Sequence, residues 1–436
     1  MSAAASVSPA IPLHVVDRMI LEIDERLAAQ VNDIVHHPAF QSLEAAWRGL
    51  QYVVDHVAFE ENVRVSVWDY SKEEALVDFE DAGEVVKTRF FATVYTAEYG
   101  TFGGEPYGAV FAGFYVDSSP RDVALLRGLA SVSAMAHAPT LLGASPAMLR
   151  LDSFDALPTV SDLEAGMADP AFVRWRSLRE SDDSRYLGVL LPRFLARIPY
   201  EESATRSFRF REDRAPSHHL WASAVFPFAV RLADSFAKTR SYDRMLGPHE
   251  TPPPATSHHP ALGPGHLRPT TEIVLSDRLE QSLTNAGFIP LTCDPTTRAL
   301  RLTSANSIQV PKEFGRSEGG PEATLNYLLS TRLPYLFVAC RIAHYLKVID
   351  RDRIGVQRTH DELEQDLNEW LSKYVVDMDG ASAAVRAQYP LRRARVRVSK
   401  AEGNAGWYRI EIHLRPHLKY LGTAFTLSIA GRLDRP

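Results

Sequence analysis

The sequence predicts a mixed α/β (α+β) fold with an N-terminal helical hairpin, a central α/β domain and a β-rich C-terminal region. Three observations carry this. Apolar residues recur at spacings of three and four through residues 1–62, the mark of amphipathic helices. The apolar period then falls to two in short runs that alternate with helical stretches. The last segment holds three alternating runs joined by turns rich in Gly and Asn. A length of 436 residues, 45% hydrophobic and 23% charged, suits a soluble protein of two or three domains.

In chain order, Val16, Met19, Ile20, Ile23, Leu27, Val31, Ile34 and Val35 share one helical face. Pro38 ends that helix, because the residue before a proline avoids the helical region. Phe40, Leu43, Trp47, Leu50, Val53 and Val54 form a second stripe, so the two helices make a hairpin at "HHP". "NVRVSVWD" reads as a half-buried strand with Val63, Val65 and Val67 on one side. Ser71 and Glu74 form a capping box that starts a helix near Lys72. A strand is expected near Ala109–Val116, followed by a helix with Ser119 as cap and Pro120 at its first position. The Ala, Gly and Ser content of that helix predicts close packing.

"LGVLLPRFLARIPY" reads as strand broken by Pro192, and "LWASAVFPFAVRLADSFAKTR" as helix. Residues 247–269, dense in Pro, Gly, Ser and His, read as an exposed loop or linker. "TTEIVLSDRLEQSLTNAGFIPL" gives a short strand, a helix closed by Gly287 and a return strand. Leu325 to Ile349 is a helix pair interrupted at Pro334, and Thr359 with Glu362 is a second capping box. The expected division is 1–62 helical, 63–246 central α/β, 247–269 linker and 270–436 C-terminal α/β with terminal strands.

A net charge of −6 gives no basic bias toward nucleic acid or anionic membrane. Two cysteines, Cys293 and Cys340, without metal-type neighbours suit a reduced cytosolic setting. The N-terminus lacks a secretory pattern, and no apolar run is long enough to span a membrane.

The chemistry candidates are few. Gly100, Gly103, Gly104 and Gly108 precede an apolar run, as in phosphate-cradling loops. The spacing fits neither a dinucleotide fingerprint nor a P-loop, Glu105 opposes an anion and Pro106 lacks a donor, so a turn with positive φ is expected. The doublets His36–His37, His218–His219 and His258–His259 point their rings apart, so no chelate is expected. His137 and His344 read as core histidines, and Cys340, one turn from His344, as a buried thiol. The charges in "RWRSLRESDDSRY", Arg174 to Tyr186, read as mutual neutralisation rather than an acid–base pair. No catalytic residue, metal or cofactor is expected, which leaves assembly as the natural role.

The chain resembles the large subunit of the contractile sheath of bacterial type VI secretion systems, the TssC/VipB family. The resemblance is carried by "ILEIDERLAAQVNDIVHHPAFQSLEAAWRGLQYVV", "VYTAEYGTFGGEPYGAV", "WRSLRESDDSRYLGVLLPRFLARIPY", "LPYLFVACRIAHYLKVIDRDRIG" and "GWYRIEIHLRPHLKYLGTAFTLSIAGRLDR". It implies a structural subunit of the bacterial cytoplasm that pairs with a small sheath subunit (TssB/VipA family) and with copies of itself. The helical tube so formed sits on a baseplate around inner-tube hexamers and contracts to expel that tube. C-terminal strands join an inter-subunit mesh, which Val396, Val398, Tyr408, Ile410 and Ile412 are expected to support, so proline at Ile410 should abolish assembly. A AAA+ unfoldase recycles sheaths of this family through a further N-terminal helix. Only about a dozen residues precede "VVDRMI" here, so that handle is not expected. A regulatory or non-contractile sheath paralogue is the alternative, and an enzyme built on the charged cluster or the Cys340–His344 pair the less favoured one.

Overall fold

The computed structural model describes residues 12–200, 208, 210–213, 218–242, 244–246, 269–294, 296–315, 320–352, 360–378, 380, 382, 385, 389–400, 408–417 and 427–433. The 247–269 segment, apart from its last residue, and Thr359 of the second capping box lie outside them. Helices α1 (Leu13–Val35) and α2 (Pro38–His56) form the hairpin. They break at His36–His37 because Pro38 starts α2 and the His37 ring accepts a hydrogen bond from Ala39 N. Helix α3 (Lys72–Asp81) opens on the Ser71–Glu74 capping box, and α4 (Pro120–Ala136) on Ser119 with Pro120 in its first turn. Close packing at α4 is met at Gly128, where an added Cβ would lie 2.4 Å from the Phe79 ring.

The central sheet runs in the order β1 (Val110–Val116), β2 (Thr140–Ala144), β3 (Leu187–Leu191), β6 (Phe288–Cys293) and β7 (Leu300–Leu302). Its first four strands are parallel and β7 is antiparallel. Strands β6 and β7 follow the 247–269 segment in sequence yet complete the same sheet as β1–β3. Every residue of β2, β3 and β6 is buried, as in parallel strands covered on both faces. Leu142, Val189, Leu191 and Phe288 pack with α4 and with α5 (Val173–Arg179) on one face. Leu141, Leu190 and Ile289 pack on the other face with α2, with α6 (Val225–Thr239) and with the start of α9 (Leu333–Asp352). Helix α7 (Asp277–Asn285) is capped by Ser276 and closed by Gly287 at φ 91°, as the sequence predicts.

Three local readings are corrected. Residues 63–68 form no strand: nothing in the described chain pairs with them, and Trp68 stacks on Tyr70 at 4.1 Å. The run before α7 contributes a single bridge, Thr271 to Phe194. Leu220–Ala222 is not helix but strand β5, paired with β4 (Phe194–Arg197).

A third core joins α8 (Gly320–Ser330), α9 and α10 (His360–Ser372) to the antiparallel sheet β10–β9–β8. Its strands are β8 (Leu391–Lys400), β9 (Tyr408–Pro416) and β10 (Leu427–Leu433).

Candidate functional site

The glycine loop presents carbonyls rather than amides. Arg351 Nη1 donates to the carbonyl oxygens of Glu98, Thr101 and Gly104 at 3.0, 3.0 and 3.1 Å, so a cation occupies the concavity. Gly103 takes φ 81°, and a Cβ on Gly104 would meet Glu98 O at 2.3 Å. The loop is a tight turn held by an arginine.

The histidines serve the interior. His36 Nε2 lies 3.1 Å from the Glu212 carboxylate and its ring stacks on His218, while His37 caps α2, so this doublet does diverge. His258–His259 falls outside the described residues. No group of three His, Cys, Asp or Glu side chains spaced for a metal occurs among the described residues. His344 Nε2 donates to Ala136 O at 3.1 Å, and burial holds its imidazole down to about 4. Burial likewise holds His137 neutral and pushes the Cys340 thiol up. A thiolate–imidazolium pair needs the opposite shifts.

The charges of 174–186 tie segments together. Arg176 donates to Met167 O and Asp169 O, Arg179 to Ile308 O and Asn285 O, and Lys312 pairs with Asp182 at 3.0 Å. Arg174 is exposed.

Two surfaces remain. The first is the hairpin. Helix α1 has no buried residue, and Met19, Ile20, Ile23, Leu27 and Ile34 are exposed. Helix α2 docks through Ala45, Gly49, Tyr52 and Val53, which leaves Leu43, Val54 and Trp47, 64% exposed, on its outer side. An ion-pair network anchors this docking: Arg197 bridges Glu44 and Glu212, each at 2.6 Å.

The second is the C-terminal sheet. Val396, Val398, Ile410 and Ile412 are buried and pack together against Leu346, Leu363, Leu367 and Leu371 of α9 and α10. Val396 pairs with Ile412 and Val398 with Ile410; the Tyr408 backbone pairs with Lys400 and Leu433. Val396, Val398, Ile410 and Ile412 build the sheet's inner face. Its two edges differ. Asn368 Oδ1 accepts from Val396 N at 2.9 Å, Asn368 Nδ2 donates to Val396 O at 2.8 Å, and Glu364 Oε2 accepts from Val398 N at 2.9 Å. The β8 edge is thus closed by α10 side chains. Alternation along antiparallel strands then points Ile410 N–H toward β10, and the backbone groups of Ser428, Ala430 and Arg432 away from β9. The β10 edge has no partner strand among the described residues. The guarded edge is what sequence reasoning missed; its signal, a polar Asn368 inside an apolar helical stripe, was present.

Residues 17–309 match a family model described as EvpB/VC_A0108, tail sheath N-terminal domain. Residues 322–433 match one described as EvpB/VC_A0108, tail sheath gpW/gp25-like domain. The chain is 38% identical over 438 residues to the type VI secretion system sheath protein TssC1 of Pseudomonas aeruginosa, covering 96% of this chain and 86% of that protein. Among solved structures it is similar to a chain of the anti-feeding prophage baseplate (TM-score 0.38, 11% identity, 86% of this chain and 80% of that one). It is also similar to the helical sheath of that prophage in the contracted state (TM-score 0.35, 11% identity, 84% of each chain).

Proposed function

The chain belongs to the TssC/VipB family of type VI secretion sheath proteins, and from that premise we propose that it pairs with a small sheath subunit and polymerises into a contractile tube. The observation that carries this is the apolar outer side of the hairpin, where Met19, Ile23, Leu27, Leu43 and Trp47 stand in solvent in the single chain. Apolar surface left exposed along two amphipathic helices is what a partner helix covers. The small subunit is assigned to this face.

The lattice contact is assigned to the β10 edge, where outward N–H and C=O groups accept a strand from a neighbouring subunit. Val396, Val398, Tyr408, Ile410 and Ile412 support that exchange by holding the sheet rigid. A strand joined by backbone hydrogen bonds keeps subunits connected while packed faces slide, which a contracting lattice requires. Inner-tube hexamers and a baseplate complete the expected partners, in the bacterial cytoplasm; no described helix is long and apolar enough to cross a membrane. Co-expression with the small subunit should give a stable complex and tubules by electron microscopy. A lone monomer at all concentrations overturns the reading.

A further inference from the structure

A cavity of about 500 Å³ lies between α5, the end of α7 and residues 306–311, and the assembly surfaces do not use it. Its volume falls in the range of small-ligand sites, about 300–1,000 Å³.

Its wall carries two guanidinium groups without a carboxylate partner. Arg176 Nη1 reaches Met167 O and Asp169 O at 2.9 and 2.8 Å, and Arg179 reaches Ile308 O and Asn285 O at 2.8 and 3.1 Å. Glu164, whose charge Arg179 feels, forms no ion pair with it and accepts instead from Asn285 Nδ2 at 2.9 Å. Burial pulls the Arg179 guanidinium below its ordinary value, and the attraction of Glu164 does not offset it.

Four lining residues, 1–6% exposed, carry polar atoms with no hydrogen-bond partner among the described residues: Trp175 Nε1, Asn306 Oδ1, Ser307 Oγ and Gln309 Oε1. The amide orientations are fixed. Asn306 Nδ2 donates to Thr284 O and Ser307 O, and Gln309 Nε2 to Ser181 O and Asp182 O. Both oxygens are therefore acceptors awaiting a donor, a state that costs free energy in a buried wall.

We propose that this cavity binds a carboxylate flanked by hydrogen-bond donors. Arg176 and Arg179 take the carboxylate, Trp175 Nε1 and the Ser307 hydroxyl add donors, and Asn306 and Gln309 accept from the N–H or O–H groups beside it. A phosphate dianion supplies acceptors only, leaves both amide oxygens unmatched and brings a second charge toward Glu164. The same carboxylate chemistry arrives either on a free amino-acid-like molecule or on a glutamate of a chain that docks at the mouth.

The purified full chain is titrated with N-acetyl-glutamate, inorganic phosphate and a short peptide with a central glutamate, read by ligand-observed NMR. Saturable binding of N-acetyl-glutamate, tighter than phosphate and weakened about tenfold by Arg176→Gln, supports the site. Binding of the peptide alone, with the same loss in Arg176→Gln, supports it too and assigns the carboxylate to a docking chain. Should Arg176→Gln fold poorly, Ser307→Ala serves, because that hydroxyl has no hydrogen-bond partner among the described residues; it is expected to keep the melting temperature and weaken binding several-fold. The proposal is overturned if no probe saturates, if phosphate binds at least as tightly, or if the folded variant binds unchanged. Tubule formation plays no part in these readouts, so the sheath reading and this one fail separately.

Discussion

Gly49 shows how one atom sets the hairpin's place. An added Cβ would lie 2.3 Å from the Phe226 ring, closer than side-chain carbons approach. Gly49→Ala therefore forces α2 off α6 or the ring off its rotamer, at a cost of about 1–3 kcal/mol. Thermal unfolding of Gly49→Ala should fall by that amount, and Phe226→Leu in the same chain should restore part of it; an unchanged melting temperature contradicts the close contact. His344 makes a second prediction, through charge. Its imidazole titrates at about 4 in the folded chain against 6.5 for the ordinary group, because burial disfavours the cation. Between those values the unfolded chain binds a proton that the folded chain does not. Stability is thus complete above 6.5, falls as pH drops and stops falling on this account below about 4. His344→Gln keeps a donor for Ala136 O and removes the titration, so melting temperature against pH should flatten, with His137 and the carboxylates held down by their partners, Glu212 and Asp377 among them, supplying the slope that remains. Equal slopes in both proteins would sink the assignment.

Elements were legible wherever the cause was local. Ser71 with Glu74, Ser119 with Pro120, and Gly287 start or stop helices by contacts within a few residues, and each stands where the pattern puts it. Residues 63–68 alternate as a strand would, but alternation reports one-sided burial and carries no information about a pairing partner. Leu220–Ala222 was absorbed into the following helix because its strand character depends on β4, some 25 residues earlier. The same limit applies to the assembly surfaces. The inward face of Val396, Val398, Ile410 and Ile412 follows from period two, while the closed β8 edge depends on Asn368, 28 residues away in sequence. That contrast of edges is testable. Asn368→Leu strips both bonds from the Val396 backbone, should cost about 1–3 kcal/mol and unguards β8. Ala430→Pro removes an N–H that points away from β9, so circular dichroism and melting should change little. Ile410→Pro deletes a bond inside the β9–β10 ladder and should unfold the sheet, so it tests the fold before it tests assembly.

At the scale of the whole molecule, the two surfaces are proposed to perform different steps, so their variants should fail at different points. The hairpin offers apolar side chains; the β10 edge offers backbone groups. On that reading side-chain burial drives pairing, with Trp47, 64% exposed in the single chain, alone removing on the order of 150 Å² from water. On the proposed reading, backbone addition at β10 links pairs that already exist. Trp47→Glu combined with Leu27→Glu should therefore abolish co-purification with the small subunit, while the chain's own helical content persists because neither side chain is in the core. Ala430→Pro should leave that co-purification intact and remove tubules from electron micrographs. The proposed contraction would draw on the difference between two packings of the same subunits. If the contracted packing buried about 200 Å² more apolar surface per subunit, each subunit would contribute about 5 kcal/mol. A hairpin variant that still co-purifies, or an Ala430→Pro chain that still builds tubules, would move the partner or the exchanged strand to another surface. Loss of both steps in Ala430→Pro, with the fold intact, would place the small subunit on the β10 edge itself.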